Sequence, residues 1–197
     1  MNRTVLGPRD YLVMPWKDGG GSTTQLIMEP PGARISDPFL WRLSSARVEA
    51  SGAFSAFPGK VRILALLSGA GFTLKVAGSR LHLVDPLRPI TFPGELPAEA
   101  TLLQGPVVDL GLIFDPLRVA CALEVLELGG EVPELNLTST TLDSTLLVFA
   151  PEGHLRVDGS PLGPMALLRV EGPLGASFQL RAEGPSIKVV VIRIKAH

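Results

Sequence analysis

Cysteine is almost absent. Cys121 is the single copy in 197 residues, so no disulfide within the chain can staple the fold, and a reducing compartment is the expectation. Histidine is scarce as well, with 3 copies, His82, His154 and His197, and no His-x-His pair. No basic run stands out: 18 Lys and Arg face 19 Asp and Glu, for a net charge of −1. A surface that neutralises phosphates needs more than this, so no nucleic acid is expected as a partner. Long hydrophobic runs are missing too. Apolar runs such as Ile63–Leu67 and Val189–Ile192 have the length of a strand, and no apolar stretch of signal-peptide length follows Met1. No membrane is expected either, and the chain reads as a soluble cytoplasmic protein.

Apolar residues, glycine and proline are what the sequence does have. At 46% hydrophobic, the chain can bury enough surface to offset the entropy of ordering, which excludes disorder. The 21 glycines and 18 prolines fall largely in turn pairs, among them Gly7-Pro8, Pro31-Gly32, Pro58-Gly59, Pro93-Gly94 and Gly105-Pro106, then Gly163-Pro164, Gly172-Pro173 and Gly184-Pro185. Such pairs break helix and sheet alike, and the short segments between them favour strands. Phe72–Val76 and His154–Asp158 alternate with a period of two, and Lys188–Ile192 reads as a strand buried on both faces. Pro116–Leu128 satisfies both helix and strand periods; Val119, Cys121, Leu123 and Val125 favour strand.

The chain contains itself twice. Leu74-Lys75-Val76-Ala77-Gly78-Ser79-Arg80-Leu81 matches Leu155-Arg156-Val157-Asp158-Gly159-Ser160-Pro161-Leu162 in register, as apolar, basic, Val, variable, Gly, Ser, variable, Leu. Further on, Gly105-Pro106 precedes the apolar run Val107–Phe114, as Gly184-Pro185 precedes Ser186–Arg193. Two matches in one order point to duplication. A strand, a glycine turn, a strand, a Gly/Pro turn and a terminal apolar strand is the reading of a cupin barrel. The fold class expected is therefore all-β, a bicupin of two tandem cupin-like jelly rolls, residues 1–115 and 116–197. A barrel of this kind can hold one small ligand in its mouth.

Many cupins carry a transition metal on clustered His and Glu. The three histidines here do not cluster, so no metal and no cofactor are expected. Cys121, among apolar residues, reads as a core thiol.

The least ordinary stretch is Met14-Pro15-Trp16-Lys17-Asp18-Gly19-Gly20-Gly21-Ser22-Thr23-Thr24. Two readings stand side by side. Gly19, Gly20 and Gly21 can offer their amides as a nest for an anion, with Lys17 adding charge and Ser22, Thr23 or Thr24 adding donors. Equally, three glycines suit a tight loop at a barrel rim. Downstream, Trp41–Ala46 alternates so that Arg42, Ser44 and Ala46 share a face. Arg42 there either points into a cavity, where its fork grips a carboxylate, or lies at the rim with its stem on the sheet. An aromatic-flanked loop, Gly52–Gly59, then leads to Arg62.

These residues resemble the HutD/Ves family. Met14–Gly21 is similar to its Met-Pro-Trp-Lys-Asn-Gly-Gly-Gly signature. Trp41-Arg42-Leu43-Ser44, Phe54–Gly59 with Arg62, Pro89–Gly94 and Leu102–Asp109 follow further family blocks in order, from about residue 12 to residue 110. The resemblance implies a bicupin associated with bacterial histidine utilisation that binds a small pathway intermediate and limits flux. The implied ligand is a small anionic metabolite, a carboxylate such as formylglutamate or urocanate. Lys17, the glycine amides, Thr23, Arg42, Ser44 and Arg62 would accommodate it, Trp16 or Phe57 would wall the pocket, and Asp109 would orient an arginine or accept from a ligand N–H. There are departures. Asp18 stands for the family's Asn, Gly111 lacks the amide that usually follows Asp109, and Asp115-Pro116 stands near the place of a basic pair.

The function expected is a non-enzymatic binding or regulatory protein of histidine catabolism. The alternative is a metal-independent cupin isomerase or hydrolase acting on a small acid, against which stands the lack of a nucleophile elbow or an obvious acid/base pair. A homodimer is compatible with the sequence, which does not specify oligomeric state.

Overall fold

The computed structural model describes residues 2–132, 134–138, 144–172, 175, 177–184 and 186–197. The turn pairs Gly172-Pro173 and Gly184-Pro185 lie partly outside the described residues. The rest is strand and turn, as the period-two alternation requires. The chain runs through β1 (Asn2–Leu6), β2 (Leu12–Pro15), β3 (Gly21–Glu29), β4 (Trp41–Val48), β5 (Gly52–Phe54) and β6 (Val61–Ser68). It continues with β7 (Phe72–Val76), β8 (Ser79–Leu83), β9 (Ile90–Pro93), β10 (Ala98–Leu102) and β11 (Val107–Phe114). Then come β12 (Val119–Gly129), β13 (Glu134–Thr138), β14 (Ser144–Ala150) and β15 (His154–Val157). The last are β16 (Ser160–Leu162), β17 (Ala166–Glu171), β18 (Ser177–Glu183) and β19 (Ser186–Ala196). Among the described residues there is no helix, and so none long and apolar enough to cross a membrane. The ambiguous stretch after Pro116 is the strand β12, and Cys121 on it is half-buried, with burial pushing its thiol up to about 12.

Two compact units form, Tyr11–Val119 and Met1–Asp10 with Ala120–His197. The first has a six-stranded sheet ordered β2-β3-β4-β11-β6-β9 and a four-stranded sheet ordered β5-β10-β7-β8. The second has a five-stranded sheet, β1-β17-β14-β19-β12, and a four-stranded one, β13-β18-β15-β16. The duplication is visible in these orders. Reversing the first large sheet gives β9-β6-β11-β4, which matches β17-β14-β19-β12 strand for strand in chain order, and β5-β10-β7-β8 matches β13-β18-β15-β16.

The sequence match of the two Gly-Ser segments corresponds to one hairpin made twice. Val76 pairs with Ser79 and Val157 with Ser160, and the two residues between have positive φ in both copies: Ala77 at 47° and Gly78 at 91°, Asp158 at 46° and Gly159 at 82°. This is the type I′ geometry whose twist matches that of the strands it joins.

The units differ in what each adds to the shared frame. The N-terminal sheet extends beyond β4 with β3 and β2. The C-terminal sheet instead extends beyond β17 with β1, which pairs antiparallel to it from Asn2↔Glu171 to Leu6↔Leu167. The boundary expected at residue 115 left the opening residues with the first barrel. Backbone pairing puts them with the second, because the open edge of β17 accepts β1.

The interiors differ as well. In the C-terminal unit a cluster including Leu128, Val148, Leu155, Leu168, Phe178 and Val191 occupies the space between the sheets. In the N-terminal unit the corresponding cluster, with Leu66, Phe72, Leu74, Val107 and Val48, fills one end of the barrel. At the other end the inward positions turn polar, and there the site lies.

Candidate functional site

The inward face of β4 reads Val48, Ala46, Ser44, Arg42 from the packed end outward, and that of β11 reads Val107, Asp109, Gly111, Ile113. Register sets these side by side. Ile113 lies between Arg42 of β4 and Arg62 of β6, Gly111 lies between Ser44 and Leu64, and Asp109 lies beside Ala46. Small residues at 44, 46 and 111 leave the middle of this face unfilled, and a cavity of about 550 Å³ results. Of the residues expected at a site, Trp16, Lys17, Thr23, Arg42, Ser44, Phe57, Arg62 and Asp109 all line it. Arg42 takes the cavity reading rather than the rim one, with 6% of its surface exposed.

The three glycines do not line it. Gly19 N–H donates to Trp16 O at 3.2 Å and Gly20 N–H to Asp18 Oδ1 at 3.0 Å, so these amides are used in closing their own turn. The anion-nest reading therefore gives way to the tight-loop one. Gly21 is required by crowding: a Cβ there would sit 2.2 Å from Arg47 O and 3.1 Å from a ring carbon of Trp16. That close approach seats the indole, whose Nε1 donates to Thr23 Oγ1 at 2.8 Å. Asp18 in place of Asn keeps the same turn, since either residue presents an Oδ1 acceptor to Gly20. Lys17 is exposed, at the rim.

Arg62 is held in an aromatic cage. Its guanidinium carbon lies 5.0 Å from the ring centre of Phe54, 5.5 Å from Phe57 and 5.3 Å from Phe92, and Nη1 donates to Ser55 O at 3.0 Å. Each ring contributes about 0.5–2 kcal/mol, which offsets part of the lost hydration. Burial still pushes Arg62 down to about 10, with Asp109 raising it and Arg42 lowering it further. Arg42 is brought to about 10 by burial alone, so both stay cationic at neutral pH. Arg42 Nε donates to Gln25 Oε1 at 2.9 Å. Among the described residues it engages no other acceptor, which leaves its two terminal nitrogens for the cavity.

Asp109, 4% exposed, is the third polar group. Desolvation pushes its carboxyl up to about 7, against the opposing pull of Arg62 and of the Ala46 N–H. A group poised at that value holds or releases a proton near neutrality.

The mouth is tied down by ordinary contacts. Phe57 N–H donates to Gly94 O at 2.8 Å and Gly94 N–H to Lys60 O at 2.7 Å, which docks the Phe54–Gly59 loop on the Pro93-Gly94 turn. Lys60 Nζ donates to Asp115 Oδ2 at 2.9 Å and to Phe39 O at 3.1 Å. Asp115 is thereby spent on this fastening and is absent from the cavity lining.

Phe54 and Phe92 escaped the reading of the chain as site residues. Phe92 faces Arg62 only through the β6–β9 register, which no local pattern reveals. Phe54 was visible as a flank of the aromatic loop. The donor set does not fit a divalent metal: two guanidinium cations face the cavity, with no imidazole or thiol in its lining. Nor do three His, Cys, Asp or Glu group elsewhere among the described residues.

Two cupin-type barrels in tandem make this a bicupin. A cupin 2 conserved barrel domain protein from Leptotrichia buccalis shares the fold at 9% identity, with a TM-score of 0.58 over 88% of each chain. The chain belongs to the HutD family, whose model matches residues 8–187. A 21.2 kDa protein of the hutC 3′ region of Pseudomonas putida is 35% identical over 85% of this chain and 86% of its own length, which links the family to a histidine-utilisation locus. HutD from Pseudomonas fluorescens SBW25 superposes with a TM-score of 0.84 at 31% identity, covering 100% of both chains.

Proposed function

We propose that the protein is cytoplasmic, that it binds a small carboxylate metabolite of histidine breakdown, formylglutamate or urocanate, in the N-terminal barrel, and that it acts by binding rather than by turnover. The observation that carries the reading is the pair of buried arginines. Taking two cations out of water is costly unless an anion or a hydrogen-bonding partner compensates them. Here the Arg42 terminal nitrogens face a cavity of about 550 Å³, and Arg62 stands in the same row. A carboxylate between them accepts charge-assisted hydrogen bonds from both, and Trp16 and Phe57 cover its apolar part.

Titration calorimetry tests this with formylglutamate and urocanate. Arg62→Met keeps much of the volume inside the aromatic cage and removes the charge. Its affinity should fall about 30-fold or more, as for loss of one partner of a buried charge pair. Unchanged affinity in a folded variant would remove Arg62 from the site. One observation favours an enzyme instead: a buried carboxyl titrating near neutrality suits acid–base work on a bound acid. Consumption of either compound at substoichiometric protein would establish that second reading.

A further inference from the structure

Gly111 breaks the pattern of the strand that carries it. It sits in β11, hydrogen-bonded into the sheet between β4 and β6, with Ser44 opposite on one side and Leu64 on the other. A glycine in a strand interior packs nothing and weakens the strand. Where one stands, the usual reasons are a bulge, a sharp bend, or close approach by another backbone or by a ligand. The register on both sides of β11 runs unbroken from Asp109 to Phe114, so there is no bulge at 111. Its φ lies outside the positive region, so the conformation is open to any residue. No backbone crowds it either: a Cβ built there would find Leu64 Cδ1 at 3.9 Å and Ser44 O at 4.0 Å, ordinary contact distances.

The fold thus has both the space and the geometry for a side chain at 111 and uses none. Gly111 is nonetheless partly accessible, although strands flank it on both sides, and it lines the cavity. Its neighbours on that face are Ser44 and Leu64 across the two ladders and Asp109 and Ile113 along the strand, with Arg42 and Arg62 at two diagonal corners, 7–8 Å being roughly the usual spacing of such pairs. The aromatic walls, Trp16, Phe54 and Phe57, line the same space.

We infer that Gly111 is the specificity-determining residue of this cavity: a carboxylic acid held by Arg42 and Arg62 lays a flat, apolar body, an aromatic or conjugated group, on the bare backbone of β11, where a side chain would lift it away. The inference rests on the carboxylate-binding reading and adds the shape of the acid to it. A planar group can approach a peptide plane to van der Waals distance only where no Cβ projects.

The experiment is calorimetry with trans-cinnamate and acetate on wild type, Gly111→Ala and Gly111→Val, alongside melting curves. Wild type should prefer cinnamate at least tenfold. That preference should shrink tenfold or more in Gly111→Ala and vanish in Gly111→Val, while the melting temperatures stay at or above wild type because strand propensity rises. Should the valine variant fail to fold, the alanine variant and a second measurement decide. Nuclear Overhauser contacts from the cinnamate ring to the Gly111 Hα protons are expected in the wild-type complex. Wild type binding acetate as well as cinnamate, or folded variants keeping the full preference, would overturn the role of Gly111 and leave carboxylate binding intact. Wild type binding neither acid would end both.

Discussion

Asp109 decides how the cavity responds to pH. Desolvation holds its carboxyl at about 7, well above the value of about 3.8 for the unfolded chain. The folded state therefore binds the proton more tightly than the unfolded one. Whatever stability this group confers is fully present below about pH 4 and is lost as pH rises to about 7. Asp109→Asn removes that slope and should gain on wild type above neutrality. Ligand affinity has the same sign. The carboxylates of formylglutamate are ionised throughout, and above pH 7 an ionised Asp109 repels them within the same cavity. Wild-type affinity should drop up to about tenfold from pH 6 to pH 8 as the protonated fraction falls. In Asp109→Asn the profile should be flat, and equal wild-type affinities at the two pH values would refute the assignment. At this scale the sequence was legible wherever a residue reaches the cavity with its own side chain, as Trp16, Arg42, Arg62 and Asp109 do. It left two readings open at Gly19 and Gly20, whose donors depend on which acceptor the turn brings near. The absence of a side chain at Gly111 reads as a departure in the sequence and as a floor in the structure.

Each unit makes the same hairpin, but not with equal ease. In β15–β16 the turn is Asp158-Gly159, a pair that tolerates positive φ at both positions. Asp158 Oδ1 also accepts from Gln179 N–H at 2.7 Å. That hydrogen bond, together with the contact from Arg3, holds the Asp158 carboxyl below its usual range. In β7–β8 the same turn has Ala77 at φ 47°, where an alanine has no side-chain acceptor to offset the steric cost. Ala77 is exposed, so a change there disturbs no packing. Ala77→Asn should therefore stabilise the N-terminal barrel by about 1 kcal/mol, a rise of roughly 4–6 °C in its melting transition. A variant melting at or below wild type would show that the turn is not strained. Elements of this kind were readable because a period of two and a glycine turn are local signals, although the turn falls at Asp158-Gly159, one residue earlier than Gly159-Ser160. The short edge strands β5, β9 and β13 were not, since each is defined by the partner it pairs with rather than by its own composition.

For the whole chain, the assignment that local pattern could not supply is where the opening strand goes. Asn2–Leu6 precedes the first barrel in sequence and completes the second by hydrogen bonding to β17. Nothing in five residues of mixed polarity names a partner more than 160 positions away; only the free edge of β17 does. The pairing has a side-chain anchor as well, because Arg3 forms an ion pair with Asp158 and stacks 5.5 Å from the ring centre of Phe178. Deleting residues 2–6 should then destabilise the C-terminal unit while the N-terminal cavity, built wholly within Tyr11–Val119, keeps its ligand affinity. Hydrogen exchange reads this directly. The β17 amides that face β1 should lose their protection, while those that face β14 should keep theirs. Removing the strand also bares an unpaired edge beside the buried Leu167, Leu168 and Val170, so the truncated protein should self-associate as concentration rises. Arg3→Ala separates the two contributions, since it removes the ion pair and leaves the backbone ladder, and should cost only a fraction of what the deletion costs. Full protection of β17 in the deletion variant would mean that the second barrel is complete without its first strand.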